Sequence, residues 1–205
     1  VEHYKCAVTA DPSMVNAWRN LANLHFKAGD FSGALTVYRQ AAAANEDDVM
    51  LQIGVGNCLM QLQQTTEGRL VFEKAAQIFP NSPLPFYSLG IASEKALDYA
   101  EAANFFLKAG NLGQIEAFSR LFELHFAGKI SLNNCDLIAA AAQACQLSNY
   151  TDPWLMQILA AGYLDNGQKH EAASILHRAL TLARDQGKQR LAAEIADNLK
   201  LASEN

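Results

Sequence analysis

His170-Glu171 opens like the helix of a zinc protease, in which a second histidine four residues after the first completes the metal pair and the glutamate serves as general base. Here that second position is Ser174, and His177 stands a further turn away, so the pair reads as a solvated helix face. Gly128-Lys129 has the ending of a phosphate loop. It lacks the upstream glycine and the following Ser/Thr, because Glu123 and Ile130 occupy those places. Gly54 and Gly56 fall inside a helical pattern with no preceding strand, which makes them packing glycines and not a dinucleotide fingerprint. Asn149-Tyr150-Thr151 fits the glycosylation sequon, a match common by chance that needs a secretory context. Cys6, Cys58, Cys135 and Cys145 form no CxxC pair and sit where a small hydrophobe would serve, so they are expected to be buried free thiols, which leans toward a reducing compartment. No nucleophile can be placed beside a base, and the five histidines are scattered. The expectation is a non-catalytic chain with no cofactor and no metal site.

Charge and hydropathy narrow the partners. A net charge of -5 over 205 residues argues against a nucleic-acid backbone, which favours a basic stripe. No apolar run reaches the length of a membrane-spanning helix, so no membrane insertion is expected.

The elements that carry these residues are set by a repeat. Tyr4, Tyr38, Phe72 and Phe106 stand 34 residues apart, as do Ala7, Ala41, Ala75 and Ala109. Further columns on the same lattice are Leu21, Val55 and Leu89; Ala22, Gly56 and Gly90; Ala34, Gly68 and Ala102; and the helix-ending Pro12 and Pro80. Trp18, Leu21, Ala22 and His25 share one face of a first helix, and Ala34, Tyr38 and Ala41 one face of a second. Small columns let two helices approach while large columns fill the space between neighbours. A period of this length therefore predicts an all-α chain of stacked helix hairpins, each burying its apolar side only against the next.

This pattern resembles the tetratricopeptide repeat. Trp18, Leu21, Ala22, Ala34, Tyr38 and Ala41 carry the resemblance first, then Val55, Gly56, Phe72, Ala75 and Pro80, then Leu89, Gly90, Ala102, Phe106 and Ala109. The departures are His25, Leu59 and Ser93 in the tyrosine column and Gln52 in the tryptophan column. The expected fold is an α-solenoid of antiparallel hairpins, one domain over 1–205, with repeats at 15–48, 49–82 and 83–113. An irregular repeat follows at 114–150, a repeat at 153–186 marked by Leu159, Ala160, Tyr163, Ala172, Leu176 and Ala179, and a capping helix at 187–203. Residues 1–12 are expected to be the second helix of a hairpin whose first helix lies upstream, and the chain a piece of a longer protein.

In such solenoids, the resemblance implies, the first helix of each hairpin lines a concave groove. On that side the sequence places Asn16, Arg19, Asn20, Asn23 and Lys27; then Met50, Ile53, Asn57 and Met60; then Leu84, Tyr87, Ile91, Glu94 and Lys95; then Ile115, Phe118, Phe122 and Phe126. The fourth set belongs to a helix apolar nearly all round, which must be covered on both sides. Either Trp154 and the preceding helix cover it, the reading preferred for Phe118 and Leu121, or a partner does, the reading preferred for Tyr87, Ile91 and Phe122.

Some members of the family grip the C-terminal carboxylate of chaperones. Arg19 and Asn23 match the first pair of that clamp, but Gly54, Leu84 and Ser88 stand where its other polar groups should be. The expected function is thus a scaffold that binds a peptide or helix of a partner protein, with Tyr87, Ile91, Phe118, Phe122 and Phe126 as apolar anchors. Arg19, Asn23, Lys27 and Lys95 would set its register, with Ile53 and Asn57 between them. The alternatives are self-association through the solenoid ends, or a recruiting arm of an enzyme whose catalytic part lies elsewhere.

Overall fold

The computed structural model describes residues 2–11 and 14–203. Among them are twelve helices and no strand: α1 Glu2–Ala10, α2 Val15–Lys27, α3 Phe31–Ala44, α4 Val49–Gln61, α5 Thr65–Ile78, α6 Pro83–Lys95, α7 Tyr99–Asn111, α8 Ile115–Phe126, α9 Asn134–Leu147, α10 Pro153–Asp165, α11 Lys169–Asp185 and α12 Gln189–Ser203. The chain divides into two compact units, Val1–Leu112 and Gly113–Asn205. In the first, α1 packs on α2 and each helix from α2 to α6 packs on the next; in the second, α9, α10 and α11 each pack on the next, while α8 meets α9 at few places. Each unit is therefore an all-helical stack of hairpins. Pro12 and the side chain of Ala7, both placed on the repeat lattice, lie outside the described residues.

Local chemistry fixes the helix ends. Asp30, Asp48, Asp98, Asn133 and Asp152 cap α3, α4, α7, α9 and α10 by accepting a hydrogen bond from a first-turn N–H. Such a cap contributes about 1 kcal/mol. Pro83 and Pro153 open α6 and α10, where a missing N–H costs nothing. Between the helices of a hairpin the backbone turns through a left-handed residue: Gly29, Gln63, Leu97, Gly128 and Gly167.

Gln63 and Leu97 share a lattice column with Gly29, and both pay a steric cost that glycine avoids. Leu97 has φ of 64° and a side chain 70% exposed, so its Cβ is strained and its side chain packs on little. Leu97→Gly is expected to stabilise the first unit by roughly 0.5–1 kcal/mol, the strain relief outweighing the added freedom of the unfolded chain. Thermal unfolding would register this as a rise of a few degrees. A fall would mean that Leu97 contributes packing after all.

The columns form the core. Tyr38, Phe72 and Phe106 are buried, as are Leu21, Val55 and Leu89 and the small residues Ala34, Gly68 and Ala102. Tyr4 heads its column but is 36% exposed. The Tyr38 hydroxyl donates to Asn23 Oδ1 at 2.7 Å, which keeps a phenol satisfied inside an apolar contact. A Cβ built at Gly56 would overlap the Phe72 ring, and one at Gly54 the Tyr38 ring. Gly54 is thus the seat of an aromatic ring, which is why no asparagine stands there. In the second unit Leu159, Ala160, Ala172, Leu176 and Ala179 repeat the pattern in α10 and α11, and α12 buries Ala192, Ile195 and Ala202.

The thiols divide in a way the sequence reading missed. Cys58 and Cys145 are buried, and burial pushes their thiols up to about 11 and about 12. Cys6 and Cys135 are exposed, so the expectation of four buried thiols holds for two; all four are free.

Candidate functional site

Three helices of the first unit carry most of the polar and apolar positions expected to meet a partner. On α2, Asn23 and Lys27 are exposed and Arg19 is half-buried, its guanidinium donating to Asn16 Oδ1. On α4, Met50 and Asn57 are exposed seven residues apart, hence on one face. On α6, Tyr87 and Ile91 are half-buried and Lys95 is exposed. Tyr87 leans on Phe106 of α7, with ring centroids 5.8 Å apart, so a core residue holds its orientation.

Ile53 requires a correction. It is buried in a cluster with Met60, Phe72 and Leu89, because α4 is covered by α5 and α6 together. Phe118 and Phe122 require another. Both are fully buried: their rings stack on each other at 6.3 Å, and Phe122 meets Trp154 edge-on at 6.3 Å. Trp154 supplies the internal cover. Glu116 and Glu123, seven residues apart, mark the exposed stripe of α8, and Phe118 and Phe122 lie away from it. Phe126, three residues beyond Glu123, falls toward that stripe and is 58% exposed, its ring against His125. Of the three α8 phenylalanines expected to meet a partner, only Phe126 is exposed.

The sequence reading missed a polar clasp between neighbouring hairpins. Arg69 of α5 holds Glu101 of α7 by two bonds, Nη1 to Oε2 at 2.8 Å and Nη2 to Oε1 at 2.6 Å, while its Nε donates to Glu73 at 2.8 Å. The buried Ser93 hydroxyl of α6 donates to Glu101 Oε2 at 2.7 Å. Ser93 thus uses a position of the tyrosine column to tie three helices together. The Arg69 guanidinium, then the Ser93 hydroxyl, hold the Glu101 carboxyl down from 4.5 to about 2. The pair contributes fully above the ordinary glutamate range, and its contribution fades as pH falls from about 4.5 toward 2. Both side chains are about one-third exposed (32% and 34%), so solvent screening limits the gain to about 1 kcal/mol. Glu101→Gln is expected to cost that amount at pH 7 and only a small part of it near pH 2, read by denaturant titration. A pH-independent difference would show that the charge has no part in it.

Beside the clasp opens a cleft of about 340 Å³ lined by Met60, Thr65, Thr66, Arg69, Ala92, Lys95 and Ala96. A second cleft, about 620 Å³, lies at the start of α4, lined by Val15, Arg19, Ala44, Asn45, Glu46, Asp47, Asp48, Val49 and Met50. Among the described residues no group of three His, Cys, Asp or Glu converges as a metal site, and no helix is long and apolar enough to cross a membrane.

Tetratricopeptide repeat models match residues 2–47, 19–83 and 155–190, together more than half of the chain. The chain belongs to the tetratricopeptide repeat family. Anaphase-promoting complex subunit 3 of Schizosaccharomyces pombe is 23% identical over 114 residues, which is 56% of this chain and 17% of that protein. The chain thus spans about one-sixth of the relative's length. Among solved structures, yeast Tom70 aligns with a TM-score of 0.71 at 15% identity, over 98% of this chain and 43% of Tom70. YrrB, described as a tetratricopeptide repeat protein with an unusual peptide-binding site, aligns with a TM-score of 0.56 at 19% identity, over 95% of this chain and 97% of its own. At these identities the likeness is one of fold. The repeat family accounts for the alternation seen here, in which Trp18 and Ala22 of a first helix meet Ala34, Tyr38 and Ala41 of a second.

Proposed function

We propose that this tetratricopeptide repeat chain is a non-catalytic protein-interaction scaffold, and that the side of α2, α4 and α6 in the first unit holds an extended segment of a partner protein. The observation that carries this reading is a row of groups made for such contact on rigid helices. Asn57 offers both halves of an amide to a peptide backbone, Lys27 and Lys95 offer ammonium groups that pair with nothing among the described residues, and Tyr87 and Ile91 of α6 present half-buried apolar surface. Side chains held on helices lose little freedom on binding, which favours affinity. The peptide-binding description of YrrB supports the same use of the fold, though at 19% identity it supports no particular residue.

Peptides selected from a random display library on the intact chain provide the test. Asn57 and Lys95 are exposed, so Asn57→Ala with Lys95→Glu should leave folding unchanged within about 0.5 kcal/mol. The double variant is expected to bind the selected peptides at least about tenfold more weakly, a loss of roughly 1.4 kcal/mol. Leu70→Asp, at a 59% exposed position on α5, should leave binding intact. Binding that survives the first variant and fails in the second would move the contact surface away from this face.

A further inference from the structure

The two clefts of the first unit differ in charge, and α4 runs from one to the other. The cleft at its beginning carries Glu46, Asp47 and Asp48 against one guanidinium, Arg19. Asp48 is spent on capping α4, accepting from Met50 N at 2.8 Å, whereas Glu46 and Asp47 are exposed and pair with nothing among the described residues. The cleft at its end has only cations, Arg69 and Lys95, among its charged lining residues. Arg69 is held there by Glu101 and Glu73, which leaves Lys95 as the cation without a partner among the described residues, over an apolar floor of Met60, Ala92 and Ala96.

Helix α4 spans the distance between them. Met50 lines the first cleft and Met60 the second, ten residues apart and so about 15 Å along the helix axis. Extended chain rises about 3.3 Å per residue, so about five residues cover that distance. Asn57 sits exposed between, on the face of Met50, where its amide can hold a passing peptide bond.

We infer that the segment taken by this face is extended and dipolar. A basic side chain settles beside Glu46 and Asp47, an acidic one beside Lys95 about five positions along, and small apolar residues lie between them. The inference rests on the peptide-binding reading above and adds the charge pattern of the partner. Each end alone would select only for charge; the two at a fixed separation select for a spacing.

Acetylated and amidated six-residue peptides test it, with end residues Lys and Glu, Lys and Lys, Glu and Glu, or Ala and Ala around the same four Ala and Leu residues. Binding is followed by amide chemical shifts of the isotope-labelled chain at low salt. The Lys-and-Glu peptide is expected to bind at least about tenfold tighter than the other three, in either chain direction, with the advantage shrinking in 0.5 M salt. Lys95→Glu should shift the preference to the Lys-and-Lys peptide, and Glu46→Lys with Asp47→Lys to the Glu-and-Glu peptide. Equal binding of all four, or preferences unmoved by the variants, overturns the charge pattern and leaves the scaffold reading standing. The same holds if none of the four binds while display-selected peptides still depend on Asn57 and Lys95. If the selected peptides ignore those two residues, the scaffold reading of this face falls first and the charge pattern with it.

Discussion

Phe122→Asp is expected to unfold the second unit. The side chain is fully buried, stacked on Phe118 and edge-on to Trp154, so the substitution removes two aromatic contacts and places a carboxylate among apolar rings. Losing a buried phenylalanine costs about 3–5 kcal/mol, and an unpaired buried carboxylate adds several more. Domains of this size are stable by roughly 5–15 kcal/mol, so most or all of that margin disappears. In a Trp18→Phe background Trp154 is the remaining tryptophan, and its emission should shift to the red as helical ellipticity falls. Phe126→Asp, at a 58% exposed position one turn later, should change stability by less than about 0.5 kcal/mol. Preserved helicity and unchanged Trp154 emission in Phe122→Asp would return that ring to the surface.

The contrast between these two phenylalanines shows what the chain makes legible and what it hides. A period of 34 residues fixed the family and the partners of the core columns, because each column needs the same neighbour one hairpin later: Tyr38, Phe72 and Phe106 are all buried as the lattice requires. Orientation of α8 was harder to read, since a helix with Phe118, Leu121, Phe122, Leu124 and Phe126 offers little contrast between faces. The contrast that exists comes from Glu116 and Glu123, and weighting those two carboxylates above the five apolar residues would have turned Phe122 inward. Ile53 misled for a different reason. Position along α4 places it near Asn57, but α5 and α6 both cover that flank, a property of three helices together. The Arg69, Ser93 and Glu101 clasp showed in the sequence only as a serine standing in the tyrosine column, because spacings of 24, 32 and 8 residues give no sign that its members meet. The clefts at the two ends of α4 are likewise products of packing, formed where loops and helix ends from different hairpins face one another.

The glycine column gives the second large effect, and it separates helix propensity from packing. Gly56→Ala puts the best helix former in the middle of α4, a gain of about 1 kcal/mol on local grounds. The added Cβ would overlap the Phe72 ring, which is 1% exposed. Overpacking of this kind costs about 1–3 kcal/mol, and here it acts on the largest buried side chain of its cluster. The net expectation is a loss of roughly 1–2 kcal/mol, opposite in sign to the propensity prediction. Phe72→Leu alone should also destabilise, by opening a void. Combined, the two changes relieve each other, because the shortened side chain vacates the volume that the new methyl needs. Denaturant unfolding of the single and double variants should therefore give a coupling of about 1 kcal/mol or more in favour of the double variant. Strict additivity would mean that the ring moves aside without cost, and the pairing of small with large columns would then lose its claim to hold adjacent helices at their separation. At Gly90 the same geometry recurs, with a built Cβ only 2.6 Å from the Phe106 ring, so Gly90→Ala with Phe106→Leu should couple with the same sign one hairpin further on.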